Sequence, residues 1–180
     1  MINYYLKLGK VIKGKKLDNN YYIGTNFVYE SEQEPEKHKQ LYHGNYLIMD
    51  TWGDNWFLKL PYDNASGSVL LSGLGLGVLP NLLLTKTEVT EILIVEKEKS
   101  IIDYIKQYID SDKVNYIWMD IRDYHPDKEF DYCFIDIWCD ENRKERESDE
   151  KILLENLSSY CKRIDFCQTL EEAKKYCGEE

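Results

Sequence analysis

The sequence predicts an α/β protein: a Rossmann-like, mostly parallel sheet with helices on both faces, preceded by a small β-rich lobe. Three observations carry this. From residue 67 onward, apolar runs of strand length alternate with segments of helical periodicity. The first of those runs ends in a glycine-rich turn. Before residue 61 the chain is rich in Tyr, Asn and Lys, with strand-like segments broken by turn formers. The expected division is a lobe over 1–66 and a cofactor-type domain over 67–180.

In the lobe, residues 21–29 and 46–52 read as strands, the second followed by the turn residues Gly53-Asp54-Asn55. Residues 31–40 read as a charged surface loop, and 61–67 as a linker of turn formers. The first strand of the domain is 68–72, and a helix over 78–84 follows its glycines. The run EILIVE, 91–96, has the continuous apolar character of a strand buried on both faces. Ile101, Ile105 and Ile109 recur every four residues and predict a helix over 99–110. Strands follow at 114–119 and 131–136. Ser148 reads as an N-cap, with Asp149 and Glu150 suiting the first turn of a helix that carries Leu153, Leu154 and Leu157. A fifth strand over 163–168 and a short helix over 170–177 close the pattern.

Composition narrows the function. The net charge of −10 argues against a nucleic-acid backbone as partner, since that affinity rests on clustered Lys and Arg. Residues 1–20 are locally basic, with five lysines against Asp18, and read as a solvated hairpin in preference to a patch for an anionic partner. The five cysteines are odd in number and show no C-x-x-C pair, which favours reduced thiols over a disulfide framework or a zinc site. His38, His43 and His125 are scattered and propose no metal centre. The longest apolar stretch, 69–84, is broken by three glycines and a proline, and no signal peptide is visible. A cytoplasmic protein with no membrane partner is expected. A homodimer is allowed.

The chemistry concentrates where the strands end, because open parallel sheets bind ligands beyond their carboxyl ends. In Ser72-Gly73-Leu74-Gly75-Leu76-Gly77 a strand runs into glycines at alternate positions and then a helix. Glycine lets backbone approach a ligand closely, and a helix start presents free N–H groups. The same pattern also suits a tight, closely packed turn. The spacing is G-x-G-x-G, with Val78 where the dinucleotide fingerprint has glycine, which tilts away from NAD. Glu96 ends the next strand, where a carboxylate can accept from ribose hydroxyls or simply open the charged strand end Lys97-Glu98-Lys99. Asp120 ends the third, where it can accept from an adenine amine or simply cap a turn, with Ile121 beside it to pack on a ring. Asp136 ends the fourth, as a general base or as an orienting group. Trp52, Trp56, Trp118 and Trp138 are candidates for stacking on a substrate.

Taken in order along 67–138, these features resemble the cofactor half of the class I S-adenosylmethionine-dependent methyltransferases. Within that superfamily the chain is similar to spermidine synthase-like proteins, which also place a β lobe before the glycine turn; His43-Gly-Asn-Tyr-Leu-Ile-Met-Asp50-Thr is similar to the hairpin that precedes it there. The resemblance implies that Gly73, Gly75 and Gly77 border the amino-acid end of the cofactor, that Glu96 binds the ribose, and that Asp120 and Ile121 hold the adenine. Asp136 would stand near the reacting centre. The candidate cofactor set is Ser72, Gly73, Leu74, Gly75, Gly77, Glu96, Lys97, Asp120, Ile121 and Asp136, with Asp136 the catalytic candidate.

Three functions are compatible. The first is a methyltransferase acting on a small or cationic acceptor. The second is aminopropyl transfer to a polyamine, which acids such as Asp50, Asp54, Asp136 and Asp140 would suit. The third is a binding protein on the same fold without catalysis, favoured by the chain's ending soon after its fifth strand, where the family normally continues.

Overall fold

The computed structural model describes residues 12–17, 21–28, 36–43, 46–50, 55–138 and 143–178. They fall into two compact units, Met1–Asp54 and Asn55–Glu180.

The first unit is a four-stranded antiparallel sheet in the order β1 (Ile12–Lys16), β2 (Tyr21–Val28), β3 (Glu36–His43), β4 (Tyr46–Asp50). β2 and β3 pair without interruption from Tyr21↔His43 to Val28↔Glu36. Residues 36–40, expected in a charged loop, are therefore strand. A full ladder satisfies backbone groups regardless of side-chain charge, and Gln40 and Leu41 within it are buried. Trp52 and Asp54 lie outside the described residues.

The second unit opens with α1 (Asn55–Asn64), which includes Pro61. The segment expected as a linker is thus partly helical, and the compact unit begins at residue 55 rather than 67. Tertiary bonds hold this helix: Asn64 Nδ2 donates to Asp165 Oδ2 at 2.8 Å, and Tyr176 donates its hydroxyl proton to Asp63 at 3.2 Å. Turn propensity is a weak prior beside such contacts.

A five-stranded sheet follows, in the order β7–β6–β5–β8–β9: β5 (Gly67–Ser72), β6 (Val89–Glu96), β7 (Val114–Trp118), β8 (Tyr132–Ile135) and β9 (Ile164–Phe166). Every pairing is parallel. The first strand stands at the centre, where the order reverses, as the alternating pattern predicts. Val69, Leu70, Leu71 and Ser72 are all at most 1% exposed, because helices cover both faces of a parallel sheet.

The helices are α2 (Val78–Leu83), α3 (Lys99–Ile105), α4 (Arg143–Leu157) and α5 (Leu170–Tyr176). α3 tightens into a 3-10 turn over Lys106–Tyr108, short of the continuous helix expected to residue 110. α4 begins at Arg143, so Ser148 lies inside it and caps nothing. The run RKER extends the helix, and Arg146 reaches Glu150 one turn on at 2.7 Å. α5 starts on a capping box between Thr169 and Glu172. Leu153 and Leu157 of α4 are fully buried against Leu70, Val95, Cys133 and Ile135, each burial contributing roughly 1.5–3 kcal/mol. Among the described residues no helix is long and apolar enough to cross a membrane.

Candidate functional site

The carboxyl ends of β5, β6, β7 and β8 carry the predicted residues. The turn after β5 is built from positive-φ glycines: Gly73 at +91°, Gly75 at +51° and Gly77 at +74°. Two of them serve the protein itself. A Cβ on Gly73 would lie 2.2 Å from the carbonyl oxygen of Asp136, and one on Gly77 would lie 2.6 Å from Ile105 Cγ2. Close packing thus accounts for Gly73 and Gly77.

Glu96 is 7% exposed at the end of β6. Its Oε2 accepts from the Leu74 N–H at 2.9 Å and its Oε1 from the Glu98 N–H at 2.8 Å. Burial pushes its carboxyl up from the ordinary value, and the two backbone donors oppose that. The carboxylate therefore binds the glycine turn to the start of α3. Gly73 N–H adds a bond to the Val95 carbonyl at 3.0 Å, and Asp136 N–H one to the Ser72 carbonyl at 2.9 Å. Turn and strand ends form one hydrogen-bonded ring. The Ser72 hydroxyl is buried there without a partner among the described residues, an arrangement native proteins seldom leave unexplained.

Asp120 caps the 3-10 turn Ile121–Asp123, its Oδ1 accepting from the Arg122 N–H at 3.0 Å. Arg122 Nη1 also bonds both of its oxygens. Ile121 is 3% exposed within the core cluster. Its side chain packs with Leu70, Val95 and Phe130 in that cluster. Leu74, at 4%, likewise gives its side chain to the core. Asp136 and Lys97 are exposed, and Gly73, Gly75 and Asp120 half-exposed. Asp140 lies outside the described residues. No group of His, Cys, Asp and Glu among the described residues could hold a metal ion.

Sequence reasoning missed one assembly. Arg122 forks onto Asp149 of α4, Nε to Oδ1 at 3.0 Å and Nη2 to Oδ2 at 2.6 Å, and Trp138 Nε1 donates to the same Oδ2 at 3.0 Å. Arg122 holds the Asp149 carboxyl below its ordinary range. Arg122 and Asp149 are 27 residues apart, and no local pattern announces the pair.

No protein-family model matches the chain, and no curated protein matches it in sequence. Solved structures do match in fold. The N-methyltransferase NodS from Bradyrhizobium japonicum WM9 superposes with a TM-score of 0.51 at 13% identity, over 70% of this chain and 76% of that one. The complex of DhpI with SAH gives 0.48 at 20% identity, covering 60% and 52%. Spermidine synthase from Thermotoga maritima gives 0.48 at 16%, covering 71% and 48%. The chain spans about half the length of the DhpI and spermidine synthase chains. The likeness is one of fold: the parallel sheet of the second unit shares the architecture of NodS.

Proposed function

We propose that this protein is an S-adenosylmethionine-dependent transferase, a methyltransferase acting on a small or cationic acceptor. The observation that carries the reading is Glu96, a nearly buried carboxylate at the end of β6 bonded to the glycine turn after β5. It stands beside the central strand, where the strand order reverses and parallel sheets bind ligands. The unpartnered Ser72 hydroxyl fits a polar ligand seated at that turn.

In this reading Gly75 and the turn backbone border the amino-acid end of the cofactor. Glu96 accepts from the ribose through what its two backbone bonds leave free, Lys97 flanks it, and Asp120 faces the adenine. The cofactor, when bound, supplies an electrophilic carbon already activated for transfer. The protein's own work is alignment and, through Asp136, removal of a proton from the attacking atom. The exposed Asp136 carboxylate and the charge of −10 favour an acceptor amine.

Aminopropyl transfer is the second reading, supported by the antiparallel sheet of β1–β4 that precedes the parallel one. A thermal-shift series separates the readings. S-adenosylmethionine and S-adenosylhomocysteine should raise the melting temperature by mass action, whereas a shift with decarboxylated S-adenosylmethionine alone supports aminopropyl transfer. A shift with NAD alone, or with no nucleoside tested, overturns both. Binding without turnover of labelled cofactor against a metabolite pool leaves a non-catalytic binding protein.

A further inference from the structure

A continuous chain of hydrogen bonds runs from Asp120 through Arg122 and Asp149 to Trp138. On one side, Arg122 Nη1 donates to Asp120 Oδ1 at 3.2 Å and Oδ2 at 2.9 Å, while the Arg122 backbone N–H takes Oδ1 at 3.0 Å. On the other side the guanidinium forks onto Asp149 through two bonds. The Asp149 side chain is 14% exposed and that of Asp120 is 31%. The anchoring carboxylate is therefore the more buried, and the held one is the more open to ligand.

A carboxylate offers about four acceptor positions. Among the described residues Asp120 uses two on Oδ1 and one on Oδ2, which leaves one on Oδ2. A partly exposed aspartate in a loop would ordinarily turn among its rotamers. Here a backbone N–H and a planar guanidinium fix both oxygens, and Asp149 fixes the guanidinium. Arg122 is suited to this because its donors form a rigid fork, which an ammonium cannot reproduce. The charge over Asp120, Arg122 and Asp149 remains net negative, which favours a hydrogen-bond donor as the incoming group.

We propose that Arg122 is a positioning residue: braced by Asp149, it holds the Asp120 carboxylate so that the remaining Oδ2 position accepts the exocyclic amine of the cofactor's adenine. This rests on the cofactor reading above. It assigns Arg122 an effect on base selectivity and not only on stability.

The test is calorimetric binding of S-adenosylhomocysteine and of its 6-deamino analogue, in which hydrogen replaces that amine and N1 remains an acceptor. The wild-type chain should prefer the adenine ligand by about tenfold or more, the worth of one hydrogen bond to a charged acceptor. Arg122→Gln should bring the ratio close to one while leaving affinity for the deamino ligand within about twofold. Arg122→Lys keeps a charge between the carboxylates and is expected to lose the preference as well, so it serves if the glutamine variant fails to show a cooperative melt. Equal weakening of both ligands would make Arg122 a structural staple between the 3-10 turn and α4, and the proposal would fall. It falls also if the preference survives in the variants, or if the wild type has none. Binding of neither ligand by the wild type overturns the cofactor reading itself, a distinguishable result.

Discussion

The Glu96 carboxylate is bonded to the backbone of the turn it faces, with Oε2 2.9 Å from the Leu74 nitrogen and Oε1 2.8 Å from the Glu98 nitrogen. Glu96→Gln keeps one acceptor oxygen and presents an NH2 group to the other N–H. One backbone donor is then left unsatisfied, and urea denaturation should show a loss of about 1–3 kcal/mol with an unchanged m-value. Glu96→Ala should also weaken S-adenosylhomocysteine by about tenfold or more in calorimetry, provided the variant is folded. Full stability in both variants would remove Glu96 from the turn.

The pH dependence of stability should carry two slopes of opposite sign. Burial raises the Glu96 carboxyl above 4.5 in the folded chain. Its contribution is complete below that value and is lost as pH rises through the raised one. The Arg122 bond lowers Asp149 below 3.8. Its contribution is present above 3.8 and is lost as pH falls through the depressed value. Unfolding free energies across the acid range should therefore show Glu96→Gln lacking the decline above 4.5 and Asp149→Asn lacking the decline below 3.8. Curves parallel to wild type would refute both assignments.

Gly73 and Gly178 share a positive φ but differ in their surroundings. At Gly73 (φ +91°) a Cβ would meet the Asp136 carbonyl, whose own residue is tied to Ser72 by a ladder bond. At Gly178 (φ +77°) nothing lies within 4 Å. Gly178→Ala should cost only the left-handed backbone penalty of about 1–2 kcal/mol. Gly73→Ala adds overpacking against an immobile backbone atom and should cost more than about 3 kcal/mol in total. Chemical denaturation of the two variants side by side measures the difference, and equal losses would contradict the close approach.

Asp136 separates binding from chemistry. Its carboxylate is exposed at the mouth of β8. As a general base, Asp136→Asn should slow turnover of labelled S-adenosylmethionine by about a hundredfold or more, while cofactor affinity stays nearly constant. If the asparagine weakens binding as much as Glu96→Ala does, Asp136 is a cofactor ligand instead, and no catalytic residue is assigned.

The order of strands and helices from β5 to β9 was legible in the sequence, as were the glycine turn and the acids that end the strands. Each is written in neighbouring residues: continuous apolar runs mark buried strands, fourfold recurrence of isoleucine marks α3, and glycines mark a backbone conformation that side chains forbid. The tertiary structure decided the rest. It made strand of 36–40, because a ladder partner overrides charge, and helix of 55–64, because Asp165 and Tyr176 hold it. It moved the start of α4 back to Arg143 and set Asp149 against Arg122 and Trp138. It packed the Asp136 carbonyl against Gly73 and Ile121 into the core cluster, neighbours that no local pattern announces. The physical reason is separation along the chain. Propensity and periodicity act among residues a few positions apart, whereas the partners of Gly73 and Arg122 are brought to them only when parallel strands pair and α4 packs across the sheet.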